Sequence, residues 1–335
     1  MTDIISSMLP EIENELMRQV SRLDEEHSLP FKEMLTYHLG WTGEGAGEEA
    51  TGKRIRPLLL LLTTATCGTD WKKALPAAAA VELVHNFSLV HDDIQDNSPV
   101  RRGRPTVWVK WGSPLAINVG DALFVLSNLA MTDLASDVPT DRVLESVRIL
   151  QQTCLDLTRG QYLDMSFEDR TDVKVEDYWM MVAGKTASLL SASCHIGAIL
   201  GNSDESTEEA YRSFGHFLGL AFQVQDDILG IWGDENVTGK SAASDLIERK
   251  KSLPVLAGLG KQGQFAEFWN NVPITPDNVE EAAKLLASES AYTYTHDIAK
   301  QMTDLAINSL READPQGEAG DALMDMADKL LHRTT

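Results

Sequence analysis

The sequence has few cysteines and no excess of positive charge, and both shortages exclude broad classes of protein. Its 335 residues include three cysteines, Cys67, Cys154 and Cys194, none in a disulfide-like or metal-binding spacing. We therefore expect a reduced, cytoplasmic setting. Acidic residues number 51 against 29 basic residues, for a net charge of −22. This balance argues against nucleic acid or an anionic membrane surface as a partner.

Long apolar runs and linker-like segments are also scarce. The most apolar stretches, 58–62 and 77–84, are far shorter than the ~20 residues that span a bilayer, so we expect buried helices there and no stable membrane anchor. The N-terminus carries acidic residues where a signal peptide needs a basic start. No Pro/Ser-rich linker divides the chain, so residues 1–335 are predicted to form a single domain.

Apolar residues recur at spacings of three and four over long stretches, as in Leu144, Val147 and Leu150, whereas sustained apolar–polar alternation is hard to find. Gly and Pro clusters interrupt these stretches and leave about ten helices between them. The pattern predicts an all-α fold, a single-domain bundle of long antiparallel helices.

Two segments combine an apolar helix with clustered aspartates. In HDDIQD at 91–96, Asp92 and Asp96 are four apart, so their carboxylates lie one turn from each other on one helix face. Such like charges repel unless a hard divalent cation such as Mg²⁺ lies between them and a phosphate. FQVQDDILG at 222–230 repeats the pattern. One acidic helix end could simply face solvent, but the repetition favours a metal cage open to a diphosphate.

Basic residues accompany both acidic segments, against the overall negative charge. TGKRIRP at 51–57 places Lys53 and Arg56 three apart, and SPVRRGR at 98–104 directly follows the first acidic segment. Arg binds phosphate oxygens with its planar fork, and Lys acts as a mobile point charge. Further basic residues are Lys185, Lys240 and the run 249–251.

The segments GKRIRP, HNFSLVHDDIQD, RRGRPTVW, GDALF, GKTASLL, FQVQDDILG and GDENVTGKSAASDLIERKKSLP together resemble the isoprenyl diphosphate synthase family. That family contains farnesyl and geranylgeranyl diphosphate synthases, and the matches keep its order from Lys53 to Pro254. The resemblance implies an all-α fold around a deep central cavity, usually as a homodimer. It also implies a prenyltransferase that joins isopentenyl diphosphate to an allylic diphosphate (dimethylallyl, geranyl or farnesyl).

The resemblance assigns roles position by position. Asp92 and Asp96 resemble the first metal-binding aspartates and Asp226 the principal ligand of the second set, with Asp93 and Asp227 in support. About three Mg²⁺ ions would bridge them to the allylic diphosphate. The residues similar to those that hold the same diphosphate are Arg101, Lys185 and Lys240. The residues that resemble the isopentenyl diphosphate site are Lys53, Arg56, His85 and Arg102. The residues that resemble cavity-lining positions are Gln161, Asp164, Thr186, Gln223 and Lys250.

Two departures from the family stand out. Gly230 lies where many relatives have a third aspartate in the second cluster, and Trp108 lies where a His is frequent. A class I terpene cyclase is one alternative, but a cyclase does not need a second diphosphate site. A non-catalytic subunit of a prenyl synthase is another, although such a subunit would be expected to lose ligands from one cluster.

Product length is expected to depend on Phe87. It lies five residues before Asp92, roughly 7–8 Å along the helix at ~1.5 Å per residue. In the resembling family an aromatic residue here forms the floor of the cavity, and the neighbouring small Ser88 is similar to the geranylgeranyl-producing subgroup. We therefore expect a C20 product over a C15 product. An ordinary core Phe is the alternative interpretation.

Overall fold

The computed structural model describes residues 3–23, 26–233 and 243–331. Within these ranges the chain is overwhelmingly helical, so the all-α prediction is confirmed. The helices are, in chain order, α1 (Asp3–Val20), α2 (Leu29–His38), α3 (Glu48–Thr51), α4 (Ile55–Thr66), α5 (Leu75–Gln95), α6 (Val107–Trp111), α7 (Ser113–Asp133), α8 (Thr140–Asp169), α9 (Val175–Val182), α10 (Ser188–Leu200), α11 (Glu205–Trp232), α12 (Ser244–Ile247), α13 (Leu253–Gly260), α14 (Gln264–Asn271), α15 (Val279–Ser288), α16 (Ala291–Glu312) and α17 (Gly317–Leu331). Short 3₁₀ turns occur at Ser21–Leu23, Glu26–Ser28, Trp71–Ala74 and Leu134–Ser136.

The chain divides into two compact units. The first unit comprises 1–151, 192–208 and 315–323, and the second comprises 152–191, 209–314 and 324–335. The prediction of one domain over residues 1–335 stays a prediction. Each unit has its own core and its own set of candidate functional residues.

The core of the first unit is built on α5. Its early turns carry four successive alanines, 77–80, all fully buried, which allow α4 and α7 to approach closely. The leucines of α4 at 59–62 are also fully buried. Both stretches predicted to be buried helix are therefore confirmed as such.

A buried ion-pair network ties the start of α4 to this core. Arg54 donates from Nη1 to Glu82 Oε1 at 2.7 Å and from Nε to Glu13 Oε1 at 2.6 Å. Arg54 is 3% exposed and Glu82 is 2% exposed, so removal of either partner would leave an uncompensated buried charge. Arg54 thus anchors the segment that carries Lys53 and Arg56.

The second unit packs two apolar clusters. One joins α9, α11 and α13 through Tyr178, Val224 and Leu253. The other joins the later helices through Phe265, Trp269 and Leu286. The first of these clusters surrounds the second acidic segment.

Among the described residues, one stretch, Ser113–Ser136, is long and apolar enough to cross a membrane by length and composition. The sequence analysis did not identify this stretch among the most apolar ones. About half of its most apolar window, 44%, is buried in the protein, and α7 packs along α5. A core helix satisfies the same criterion, so the stretch is weak evidence for membrane insertion.

Candidate active site

The first acidic segment forms the last turn of α5. The Asp96 N–H donates to the Asp92 carbonyl at 2.8 Å, so the helical geometry persists to Asp96 and the two side chains share a face. Helix α5 ends at Gln95, and Asn97, two residues later, has a left-handed φ of 52°. Asp96 is exposed and Asp92 is partly exposed, whereas Asp93 is only 2% exposed.

A β-hairpin with a two-residue turn places the Arg101 guanidinium next to the last turn of α5. Strands β1 (Val100–Arg101) and β2 (Arg104–Pro105) pair antiparallel, and both residues between them have positive φ, as a type I′ turn requires. Arg101 consequently reaches back to α5. Its Nε donates to Asp93 Oδ1 at 2.7 Å, and its Nη2 lies 3.6 Å from Asp92 Oδ2. Burial raises the pKa of Asp93 to about 6, against the opposing effect of Arg101.

Arg102, the next residue, is held beside Lys53 by backbone carbonyls. Its Nη1 donates to the carbonyls of Ala50 and Thr51 at 2.8 and 2.9 Å, which lie at the end of α3. A Cβ at Gly52 would lie 2.7 Å from the Arg102 guanidinium carbon. Gly52 is therefore required for this close approach.

The predicted isopentenyl diphosphate residues form a cationic cluster in the first unit. Burial, and then the charges of Arg56 and Arg102, lower the pKa of His85 well below its ordinary value. Burial and Arg102 also lower the pKa of Arg56, although Glu82 opposes them. The Arg56 Nε is buried without a hydrogen-bond partner among the described residues. A cluster of cations with an unsatisfied donor fits an anionic ligand.

Sequence reasoning missed His38, which lies on α2 beside this cluster. Its Nε2 is buried and has no hydrogen-bond partner among the described residues. Burial, and then Arg102 and Arg101, lower the pKa of His38 to about 3. His38, Arg101, Arg102 and Asp93 line one cleft. Nothing in the spacing of the sequence pointed to a residue so far before Lys53.

The second acidic segment lies in α11 and shows a similar division. Asp226 is partly exposed, whereas Asp227 is 4% exposed. Tyr178 O–H and Leu253 N–H both donate to Asp227 Oδ2, at 2.7 and 3.0 Å. Gln223 Nε2 donates to Asp227 Oδ1 at 3.0 Å. Burial raises the pKa of Asp227 to about 7, and these donors oppose that effect.

Gly230, the departure from the family pattern, has a structural cause. A Cβ at this position would lie 2.4 Å from Asp245 Oδ2, closer than real Cβ contacts allow. Asp245, in α12, is 7% exposed. A carboxylate therefore already lies where a third aspartate of the second cluster would begin. Lys250 Nζ is 3.9 Å from the same Asp245 carboxylate.

Lys185 and Thr186 lie in a π-helical turn, Ala183–Ala187, between α9 and α10. Such turns occur frequently at functional sites. Thr186 Oγ1 donates to Gln223 Oε1 at 2.8 Å, and Lys185 Nζ donates to Asp164 Oδ2 at 2.5 Å. A Cβ at Gly160 of α8 would lie 2.2 Å from the Lys185 N atom, so this glycine permits the close packing.

The structure thus brings Asp164, Thr186 and Gln223, which were expected to line the cavity, close to Lys185, which was expected to hold the allylic diphosphate. Gln161 is partly exposed on α8, three residues before Asp164. Lys240 lies outside the described residues. The roles assigned to all of these positions stay predictions.

Phe87 lies on α5 against α7. Its ring centroid is 5.1 Å from that of Phe124 and 5.4 Å from that of His91. Gly120 makes room for this packing, because a Cβ there would lie 2.2 Å from His91 Nε2. Ser88 Oγ donates to the His85 carbonyl at 2.7 Å. Phe87 is partly exposed, which is compatible with a place at the floor of a cavity.

Mg²⁺ fits the donor set at both acidic segments, since the outer carboxylates offer the oxygen ligands that it prefers. No group of three or more His, Cys, Asp or Glu side chains converges to hold an ion within 3–23, 26–233 and 243–331. Mg²⁺ usually takes one or two carboxylates and completes its shell with water and substrate phosphates.

Known proteins resemble this chain in both sequence and fold. The profile of the Polyprenyl synthetase family matches residues 47–288, more than half of the chain. The chain is 41% identical over 291 residues to the geranylgeranyl diphosphate synthase of Mycobacterium tuberculosis, which covers 85% of this chain and 82% of that protein. It is 42% identical over 259 residues to a (2E,6E)-farnesyl diphosphate synthase of the same species, which covers 76% of this chain and 70% of that protein. The crystal structure of a geranylgeranyl pyrophosphate synthetase from Pyrococcus horikoshii superimposes with a TM-score of 0.88 at 30% identity and covers 98% of this chain and 96% of that one.

Proposed function

The chain belongs to the polyprenyl synthetase family, and we propose that it makes geranylgeranyl diphosphate (C20). It is a trans-prenyltransferase, which condenses isopentenyl diphosphate with allylic diphosphates. The C20 assignment is supported by Phe87 and the neighbouring Ser88, and by the similarity to a protein named geranylgeranyl diphosphate synthase. A similar relative named farnesyl diphosphate synthase supports C15 as the second candidate product.

Isopentenyl diphosphate is proposed to bind at the cationic cluster of the first unit. The observation that carries this assignment is the buried Arg56 Nε, which lacks a partner among the described residues, beside His85 and Arg102. A diphosphate would supply the missing acceptor and offset the mutual repulsion of the Arg56 and Arg102 guanidinium groups. Lys53 is exposed next to them and would contribute a mobile charge. A terpene cyclase has no use for this second diphosphate site.

The allylic diphosphate is proposed to bind through Mg²⁺ at the outer carboxylates Asp92, Asp96 and Asp226, with about three ions in all. Asp93 supports this set by holding Arg101 beside Asp92. When bound, the metal would stabilise negative charge on the departing diphosphate. Lys185, Arg101 and Lys240 would add positive charge on the same group. The complete outer set argues against a non-catalytic subunit.

The proposed reaction proceeds through an allylic carbocation. The allylic C–O bond breaks with its electron pair on the diphosphate oxygen, and the double bond of isopentenyl diphosphate attacks the resulting cation. The released diphosphate removes the proton, so no protein base is required. Exclusion of water from the cation is the main remaining task.

Product analysis tests this function and the C20 assignment together. Purified protein with Mg²⁺, isopentenyl diphosphate and each allylic starter should give C20 alcohols after dephosphorylation and chromatography. Phe87→Ala should shift the products to longer chains, with Leu83 or Val84 as the next obstruction. An unchanged product distribution from that variant would return Phe87 to an ordinary core role, and a wild-type C15 product would favour the farnesyl assignment.

We also propose a cytoplasmic homodimer. Large apolar side chains are exposed along α7, namely Leu115, Ile117, Val125 and Leu129. Exposed apolar patches of this kind often mark interfaces. Sedimentation equilibrium should give a mass twice the 36.9 kDa of the chain, and Val125→Glu should shift it towards a monomer. A monomeric wild-type protein at micromolar concentration would contradict the assignment.

A further inference from the structure

We propose that Asp227 is a positioning residue, which fixes the side-chain amide of Gln223 so that its carbonyl oxygen is presented at the allylic substrate. The inference rests on the proposed function and deepens it. It concerns the interior of the second unit, where the second acidic segment meets the π-helical turn.

The amide of Gln223 makes two hydrogen bonds of opposite sense. Its Nε2 donates to Asp227 Oδ1 at 3.0 Å, and its Oε1 accepts from Thr186 Oγ1 at 2.8 Å. A reversed amide would still satisfy Thr186, because a hydroxyl can either donate or accept. The reversed amide would, however, place Oε1 against a carboxylate oxygen, and both are acceptors. Asp227, and not Thr186, therefore determines the orientation of the amide.

Asp227 is itself rigidly held as an acceptor. Its Oδ2 accepts from Tyr178 O–H at 2.7 Å and from Leu253 N–H at 3.0 Å. Asp227 is 4% exposed and Tyr178 is 1% exposed. These donors come from two different helices, α9 and α13, so the carboxylate cannot rotate without breaking contacts to both. Tyr178 O–H, Leu253 N–H and Gln223 Nε2 all use the Asp227 carboxylate as an acceptor.

Gln223 lies close to residues that are assigned to the allylic diphosphate. Gln223 is partly exposed and lies three residues before Asp226, on the same helix face. Its partner Thr186 directly follows Lys185. Asp226 and Lys185 are both assigned to the allylic diphosphate. The positive charge that develops on the allylic carbon as the diphosphate departs is therefore expected near Gln223. A fixed carbonyl dipole stabilises the positive charge that develops there, whereas an NH₂ group in its place would oppose it.

Asp227→Asn tests this orientation with little change of shape. Tyr178 and Leu253 both donate to one oxygen, so the Asn carbonyl would stay with them and its NH₂ group would face Gln223. The Gln223 amide would then rotate to accept, and the network would keep every hydrogen bond, with only the two made by Gln223 reversed in polarity. We expect the rate of allylic ionisation in rapid-quench single turnovers to fall roughly a hundredfold. The KM for isopentenyl diphosphate should stay within about twofold.

Tyr178→Phe is the matched control. It removes one hydrogen bond to Asp227 but leaves the carboxylate as an acceptor, so the Gln223 amide keeps its orientation. Its thermal midpoint should fall at least as far as that of Asp227→Asn, whereas its ionisation rate should fall less than roughly tenfold. If the two variants lost ionisation in proportion to their loss of thermal stability, Asp227 would be merely structural and the inference would be overturned.

A double-mutant cycle with Gln223→Leu measures whether Asp227 acts through Gln223. If Asp227 acts through Gln223, Asp227→Asn should have little further effect on ionisation in the Gln223→Leu background. An additive, roughly hundredfold further loss would overturn the inference. A wild-type protein that condenses no isopentenyl diphosphate would instead overturn the proposed function, so the two failures are distinguishable.

Discussion

The two acidic segments hold their buried carboxylates in different ways. At the end of α5, Asp93 pairs with a cation, Arg101, which also approaches Asp92. In α11, Asp227 accepts hydrogen bonds from neutral groups only, those of Tyr178, Leu253 and Gln223. A cation can also bind a substrate phosphate, whereas a neutral network can only hold geometry. The comparison predicts that the contacts of the first segment change when its ligand binds. The hydrogen bonds of the second segment are already in place before binding.

Both segments nevertheless share one arrangement. Each has an outer carboxylate that is at least partly exposed and an adjacent one that is buried. The outer carboxylates are the ones suited to metal, and the buried ones are engaged within their own units. The largest expected effect therefore comes from removing an outer carboxylate.

Asp92→Ala and Asp226→Ala should each lower kcat by about a thousandfold, since a lost metal ligand removes several kcal/mol of charge stabilisation. Thermal midpoints should change little because neither residue is buried. Steady-state assays with calorimetry measure both quantities. Chelator should abolish wild-type activity and added Mg²⁺ should restore it, and full turnover in a metal-free preparation would contradict the account.

A smaller effect separates the two diphosphates. Lys53→Ala should raise the KM for isopentenyl diphosphate by roughly tenfold and leave the KM for the allylic substrate nearly unchanged. Lys185→Ala should instead lower the rate of ionisation. Lys32→Ala, an exchange outside both assigned sites, serves as the control. The same kinetic pattern from the Lys53 and Lys185 variants would show that the assignment of these lysines to two different diphosphates is wrong.

The third position of the second segment, Gly230, gives the smallest effect. Restoring the aspartate of many relatives by Gly230→Asp should lower activity and not raise it, because the new side chain would meet the Asp245 carboxylate. Overpacking of this kind lowers the thermal midpoint by about 2–6 °C. Gly230→Ala should show a milder loss of stability without the added charge. A more active Gly230→Asp enzyme would mean that Asp245 moves aside readily.

Sequence reasoning predicted the helical fold and the buried stretches of α4 and α5 because both follow from local periodicity. It did not predict α3, α6 or the β1–β2 hairpin, which are too short to show a period. The hairpin matters most, since it turns Arg101 back onto Asp93. Only the three-dimensional structure shows that this cation and this carboxylate are partners.

The motifs predicted which residues belong to the candidate site, but they did not predict the contacts between those residues. The motifs identified Gln223, Asp227 and Lys185 through spacing and resemblance. They gave no sign of Tyr178, which lies 49 residues before Asp227 and reaches it through the packing of α9 on α11. They likewise gave no reason for Gly230, because its neighbour Asp245 comes from a later helix.

The division between outer and buried carboxylates is tested most directly by titrating Mg²⁺ into Asp226→Asn and Asp227→Asn. We predict that Asp226→Asn raises the Mg²⁺ concentration for half-maximal activity by roughly tenfold or more. Asp227→Asn should leave that concentration within about twofold of the wild-type value even though its rate falls. An equal shift in Mg²⁺ requirement for both variants would contradict the division and return Asp227 to the metal ligands.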